Sequence, residues 1–416
     1  MREMKNSGVE WIGKIPKEWS IVKFKYLHNG LNTGEAIDKE YWESDAGLNA
    51  FYTAGLTPIR TGYSNFPTWK ETRENDLLLA RNGTPYVYLP VSKAYYTDHI
   101  IIAAMSSLVN RRFIRYCLQQ SIASIAVDSV SIPTWSATLW NNQILTWPSV
   151  IEQERIAAFL DAECAEIDAV LEKTRASIEE YKKLKQAVIT QAVTKGIRGD
   201  RPMKDSGIEW IGDIPKEWDC KKVKYVTSIS RGIFNHRPRN DERYYGGEYP
   251  FIQTGDVAGA QKYIESYSQT LNELGKSVSK CFPKGTLTMT IAANVGDAAI
   301  LGFDAFFPDS VVGFIPNADI NDEYLYYIFK AMKSEFVRTA IKSTQLNLNV
   351  ERIRDLFVPV VVQKSEQLEI AEYLNTKCAD IDALIAKKQQ YLTEIENYKK
   401  SLIYEYVTGK KEVHPL

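Results

Sequence analysis

The 416-residue chain is 44% hydrophobic and 25% charged with a net charge of −1, the balance of an ordinary globular protein with room for two or three domains. Its longest apolar runs, 100–105 and 357–362, are too short to span a bilayer, and five cysteines without CxxC spacing make neither a zinc site nor a disulfide framework. No apolar signal core opens the chain, so a cytoplasmic protein without membrane contact is expected, and one that does not grip nucleic acid by bulk charge.

Residues 4–26 read MKNSGVEWIGKIPKEWSIVKFKY. Gly13 and Pro16 punctuate a looping segment that is predicted to lead into a strand over 21–27, with Trp11 and Trp19 packed as anchors. A first insert, 27–152, mixes strands predicted at 77–80, 86–90 and 100–103 with a helix at 108–120. From Gln153 to Thr194 the spacing of Leu160, Cys164, Ile167, Leu171, Thr174 and Ile178 alternates near four and three without any proline. That is a coiled-coil seam, interrupted by Lys185. Forty-two helical residues span roughly 60 Å at ~1.5 Å each, and such a helix needs a partner.

After a Gly/Pro-punctuated linker the first segment returns. Residues 203–225 match 4–26 at 16 of 23 positions. A second insert, 226–366, does not obviously resemble the first; strands are predicted at 250–253, 286–291 and 311–315, and a helix at 322–341. Residues 367–408 then repeat 153–194 with 15 identities in 42, the stripe interrupted by Lys388 and Lys399. The cheapest partner for each long helix is its own repeat. The fold class expected is therefore α+β: two α/β domains separated by two long helices packed as an antiparallel coiled coil, with an internal pseudo-two-fold repeat. The boundaries are 1–152 for the first domain, 153–196 for the first spacer helix, 197–202 for a linker, 203–366 for the second domain, 367–410 for the second spacer helix and 411–416 for a tail.

Catalytic constellations are missing. The chain has no GxxxxGK[ST] or GxGxxG loop, no Asn/Asp-Pro-Pro-aromatic motif, no HExxH and no GxSxG. His28, His99, His236 and His414 are scattered, and Pro308-Asp309 echoes a nuclease carboxylate without the acidic-x-Lys partner that would follow. The chain is expected to bind and position rather than catalyse, with no metal or cofactor of its own.

The duplicated SGxEWIGxIPKEW (7–19 and 206–218), the helix starts Gln153-Glu-Arg-Ile-Ala and Gln367-Leu-Glu-Ile-Ala, the duplicated Ile-Asp-Ala (167–169, 381–383) and the endings near 192–195 and 406–410 resemble the specificity (S, HsdS) subunits of type I restriction–modification enzymes. The second insert adds 247–257, GEYPFIQTGDV, and Lys284-Gly-Thr-Leu287; the first has only the weaker echo 74–83, ENDLLLARNG. Ala292-Ala293 stand where a polar Arg-Asn turn is expected. The resemblance implies that the two α/β domains are target recognition domains. Each would read one part of a bipartite, asymmetric double-stranded DNA site, with the paired helices as a spacer. Two methyltransferase (M) subunits would bring S-adenosylmethionine, and restriction (R) subunits would bring ATP, magnesium and cleavage.

Base edges are read by Arg, Lys, Asn and Gln, and phosphates by Lys and Arg. The candidate DNA-binding residues are Arg231, His236, Arg237 and Arg239 in one cluster and Lys342, Gln345, Asn347 and Asn349 in another, with Arg60, Arg81 and Asn82 in the first insert. The competing readings are a duplicated coiled-coil scaffold whose inserts bind other proteins, and an enzyme such as a fused nuclease.

Overall fold

The computed structural model describes residues 2–42, 49–125, 133–292, 294–342 and 346–413. The chain divides into two compact units, residues 1–175 with 390–416, and residues 176–389. Among the described residues no helix is long and apolar enough to cross a membrane.

Each unit contains the same hairpin: Met4–Asn6 antiparallel to Lys14–Pro16, and Met203–Asp205 to Asp213–Pro215. Side chains close both turns, Asn6 and Asp205 accepting from the Gly8 and Gly207 amides at 3.0 and 2.9 Å. Trp19 and Trp218 are fully buried. Trp11 and Trp210 donate their indole N–H to the carbonyls of Ile144 and Phe357, each at 3.2 Å. The predicted strand over 21–27 is shorter. Ser20–Lys23 pairs with Ile144–Trp147, and Asp219–Lys222 with Phe357–Val360. The next amides, Phe24 and Val223, still bond the carbonyls of Gln143 and Leu356 at 2.9 Å, but their buried side chains turn the chain into a short helical turn.

In the first unit the insert runs through β1 (His28–Thr33), β2 (Asn49–Tyr52), β3 (Ile59–Thr61), β4 (Asp76–Ala80), β5 (Val87–Tyr88), β6 (Tyr95–Tyr96) and β7 (Ile100–Met105) to helix α1 (Arg111–Ala123), and the long helix α2 (Val150–Lys195) follows. The sheets are ordered β1-β7-β4-β5 and β3-β2-β6. In the second unit come β8 (Thr227–Arg231), β9 (Tyr245–Phe251), β10 (Tyr263–Ile264), β11 (Gln269–Leu271), β12 (Cys281–Phe282), β13 (Leu287–Thr290), β14 (Ala298–Leu301), β15 (Ala305–Phe306), β16 (Val311–Pro316), helix α3 (Asp322–Ala331) and the second long helix α4 (Lys364–Val407). Its sheets are ordered β8-β16-β13-β14-β10 and β11-β9-β15-β12. The two inserts thus share one strand order, the second adding β10 and β12 at sheet edges. In the smaller sheets β2 lies antiparallel to β3 and parallel to β6, as β9 does to β11 and β15. The central strands β4 and β13 are buried throughout, which is why Asp-Leu-Leu-Leu-Ala and Leu-Thr-Met-Thr can serve the same place.

Asparagine caps set the helix starts. Asn110 accepts from the Phe113 amide at 3.1 Å and Asn321 from the Tyr324 amide at 2.9 Å, so α1 begins at 111, not 108. The predicted helix over 322–341 is two pieces, α3 and Lys333–Thr339, because the backbone turns at Met332 (ψ 2°). Both cap amides donate in turn to a fully buried glutamine at the start of a long helix. Asn110 N–H meets Gln153 Oε1 at 3.3 Å and Asn321 N–H meets Gln367 Oε1 at 2.8 Å. The repeated glutamines therefore fasten each insert to its helix.

Within each unit, half of α2 runs antiparallel to half of α4. In the first unit Leu160, Cys164 and Leu171 are buried on α2, and Leu402, Ile403 and Val407 on α4; Asp168 bonds Lys399 at 2.6 Å and Arg175 bonds Glu396 at 2.6 Å. In the second, Ile189 and Val193 are buried with Ile370, Leu374 and Cys378, and Lys185 bonds Asp382 at 2.6 Å. Lys185 and Lys399 occupy matching repeat positions, as do Asp168 and Asp382. The lysines that break the apolar stripe are thus the register pins of the pair. Lys388 also leaves the stripe usefully, its ammonium 5.6 Å from the Tyr181 ring.

Candidate nucleic-acid interface

Each unit has a corner where its larger sheet hands over to its smaller one. In the first unit β1 ends at Thr33 and Gly34 presses against the backbone of Tyr96 and Thr97. In the second β8 ends at Arg231 and Gly232 presses against Phe307 and Pro308. A Cβ at either glycine would overlap those carbonyls, so only glycine fits. The Gly34 amide donates to Ile100 O (3.2 Å) and the Gly232 amide to Val311 O (2.9 Å).

In the first unit the corner carries Arg81, Asn82 and His99. Asn82 Oδ1 lies 3.1 Å from His99 Nδ1, and the Asn82 amide donates to Thr134 Oγ1 at 3.4 Å. Arg81 donates from Nη1 to Asp98 O at 3.4 Å. Two buried indoles hold the turn from beneath, Trp135 Nε1 donating to Gly83 O (2.7 Å) and Trp140 Nε1 to Ala80 O (3.2 Å). The polar side chains are thereby presented on a rigid base. Arg60 is exposed on β3, in register with Ala50 of β2.

In the second unit the corner carries three arginines around one aspartate. Arg231 Nε donates to Asp309 O, Arg239 pairs with the Asp309 carboxylate, and Arg237 lies 3.5 Å from it. Two guanidiniums share the carboxylate and the third bonds the backbone carbonyl, so three positive charges meet one negative charge and the cluster remains cationic. Beside it opens a cleft of about 300 Å³ lined by Phe234, Arg239, Asn240, Tyr245, Gln253 and Gln269. Gln253 Nε2 donates to Gln269 Oε1 at 2.8 Å. Stacked aromatics below amides and guanidiniums make a surface suited to hydrogen-bonded base edges or phosphates.

Two other candidates, His236 and Asn349, have structural occupations. His236 stacks on Tyr244 at 4.0 Å and bonds Asp241 at 2.9 Å. The Arg243 guanidinium, with His236 behind it, holds the Asp241 carboxyl below the usual carboxylate range. Asn349 caps the helix Val350–Asp355, accepting from the Glu351 amide at 3.0 Å. Lys342 and Asn347 lie in a two-stranded ladder, Ile341–Lys342 with Leu346–Asn347, and Gln345 lies outside the described residues. His99, Asp98, Gln253 and Gln269 escaped the sequence reading. A lone histidine carries no pattern, and Asp309 was legible only as a discounted nuclease echo. Among the described residues no group of three or more His, Cys, Asp or Glu could hold a metal ion.

The fold and its corners define a duplicated binding protein: two like frames, each presenting its own polar corner. A family model described as type I restriction modification DNA specificity domain matches residues 215–396. The MjaIX specificity subunit of Methanocaldococcus jannaschii is 31% identical over 187 residues, 43% of this chain and 41% of that one. The match to the MjaVIII specificity subunit of the same organism is 23% over 430 residues, covering 97% and 95%. A chain solved in work on complex assembly and conformational transition of the type I R-M system has the same fold, with a TM-score of 0.69 at 14% identity over 95% of this chain and 99% of that one. Residues 215–396 thus match a type I restriction modification DNA specificity domain, and the chain is similar along nearly its whole length to a specificity subunit of a type I restriction enzyme.

Proposed function

We propose that this chain reads a bipartite, asymmetric sequence on double-stranded DNA in the cytoplasm, one half-site per unit, and performs no catalysis itself. It would dock two M subunits and the R subunits, which would bring S-adenosylmethionine, ATP and magnesium; the chain itself would hold no cofactor. One observation carries the reading. The two units repeat strand order, glycine corner and glutamine anchor, yet fill the corner with unlike residues: Arg81, Asn82 and His99 in one, Arg231, Arg237 and Arg239 in the other. Shared frames suit repeated partners, and unlike corners suit unlike half-sites.

The test is to co-express the chain with its M partner and map the methylated positions on genomic DNA. A two-part, non-palindromic motif is expected, together with a salt-dependent shift of duplexes that carry it. Absence of any shift at low salt would leave the scaffold reading standing. Cutting of DNA by the chain alone with magnesium would overturn its non-catalytic role.

A further inference from the structure

We infer that Arg81 and Arg231 are equivalent base-reading residues, one in each unit, and that each reads the guanine of a G·C pair in its own half-site. The inference rests on the DNA reading proposed above.

Strand register shows that the two arginines are not remnants of the duplication. Thr33 faces Ile101 across the first sheet and Ile101 faces Leu79; Arg231 faces Val312 and Val312 faces Met289. Thr33 therefore matches Arg231, Leu79 matches Met289, and two residues on, Arg81 matches Ile291. The amides agree: Arg81 N–H donates to His99 O at 2.8 Å and Ile291 N–H to Ser310 O at 3.0 Å. By the same register Asp98 matches Asp309. Arg81, from the turn after β4, and Arg231, from the end of β8, nevertheless donate to the same acceptor, the backbone carbonyl of that aspartate. Two different strands deliver a guanidinium to one place.

A merely structural arginine would have kept one register, since the frame around it did. A carbonyl in a surface loop can also be satisfied by water and requires no guanidinium. Both arginines are exposed, and each bond to the carbonyl uses one donor and leaves a two-donor edge of the fork. That edge matches O6 and N7 of guanine. A phosphate contact is the same at every site and could be repeated in register, as the framework lysines are; a position free to change strand is what differing half-sites require.

The test uses the complex of the full chain with its M partner. Arg81→Ala and Arg231→Ala are each scored for the methylated motif and for affinity on duplexes with single base-pair changes, across a salt series. Each variant is expected to relax one G·C position, in opposite halves of the motif, losing roughly 5- to 150-fold in discrimination there with the salt slope unchanged. Arg81→Lys and Arg231→Lys keep the charge and lose the fork, and should relax the same positions even if an alanine variant folds poorly. A uniform loss of affinity with the salt slope reduced by about one would identify a phosphate contact and overturn the inference. So would an unchanged motif, or both variants acting on one half. A wild-type complex with no two-part motif would instead overturn the underlying DNA reading, an outcome visible before any variant is made.

Discussion

Replacing Gln367 by methionine keeps the shape of a fully buried side chain and removes all its hydrogen bonds. Its Oε1 accepts from the Asn321 amide at 2.8 Å; its Nε2 donates to Val361 O and Asp319 O, both at 2.9 Å. The bond to Val361 is buried and the other two are partly so. Each partner stranded out of water costs roughly 1–3 kcal/mol, less where solvent can reach it, so Gln367→Met should destabilise the second unit by about 3–5 kcal/mol. For a unit of this size that is a fall in melting temperature of roughly 10 °C. Gln153 makes fewer and longer bonds, 3.3 Å from the Asn110 amide and 3.1 Å to Pro148 O, so Gln153→Met should cost about 1–3 kcal/mol in the first unit. Hydrogen exchange resolved by segment, in a urea series, would read the two units separately. Protection should fall first in α3 for Gln367→Met and in α1 for Gln153→Met. The reasoning fails if Gln367→Met stays within 1 kcal/mol of wild type, or if Gln153→Met proves the more damaging.

Reversing one register pin, Lys185→Asp, should weaken the second unit's helix pair by about 0.5–1 kcal/mol, and adding Asp382→Lys should restore it, as a double-mutant cycle in denaturant can measure. Gly232→Ala forces a methyl into the carbonyls of Phe307 and Pro308 and should cost about 2–4 kcal/mol, read as a lower melting temperature; an unchanged melt would mean that the corner can relax. Glu323 is resisted by burial, yet hydrogen bonds from Lys262, Tyr263 and Asn375 lower its pKa from 4.5. A lowered acid stabilises the fold fully above pH 4.5 and loses that contribution as pH falls through the folded value, so Glu323→Gln should flatten the acid limb of the second unit's stability curve and leave neutral pH as the place where the variants differ most.

The frames were legible because they carry the same residues twice, and the long helices because period and proline-free length agree. The common fold of the inserts was not legible. Its shared places are filled by different residues of one class, such as Leu79 and Met289, and the few identities, Gly34 with Gly232 or Asp98 with Asp309, are too isolated to align by eye. The lysines in the apolar stripe read as interruptions because their partners, Asp168 and Asp382, lie more than 190 residues away in sequence. At the corners stand Arg81, named from the sequence beside Asn82, and Arg231, named from the basic run 231–239. The turning inward of His236 depends on Tyr244 and Asp241, and no spacing rule announces a ring that stacks on its neighbour.

The second unit is one unbroken stretch of chain lying inside the sequence of the first. A ribosome therefore finishes the second unit while the first still lacks residues 390–416. Until those emerge, Leu160 and Cys164 have no Leu402, Ile403 or Val407 to cover them, and Thr146 has no Val407 carbonyl to bond. The unit begun earlier is thus completed later, and damage to the segment that carries Leu402, Ile403 and Val407 falls on the unit that residues 1–175 begin.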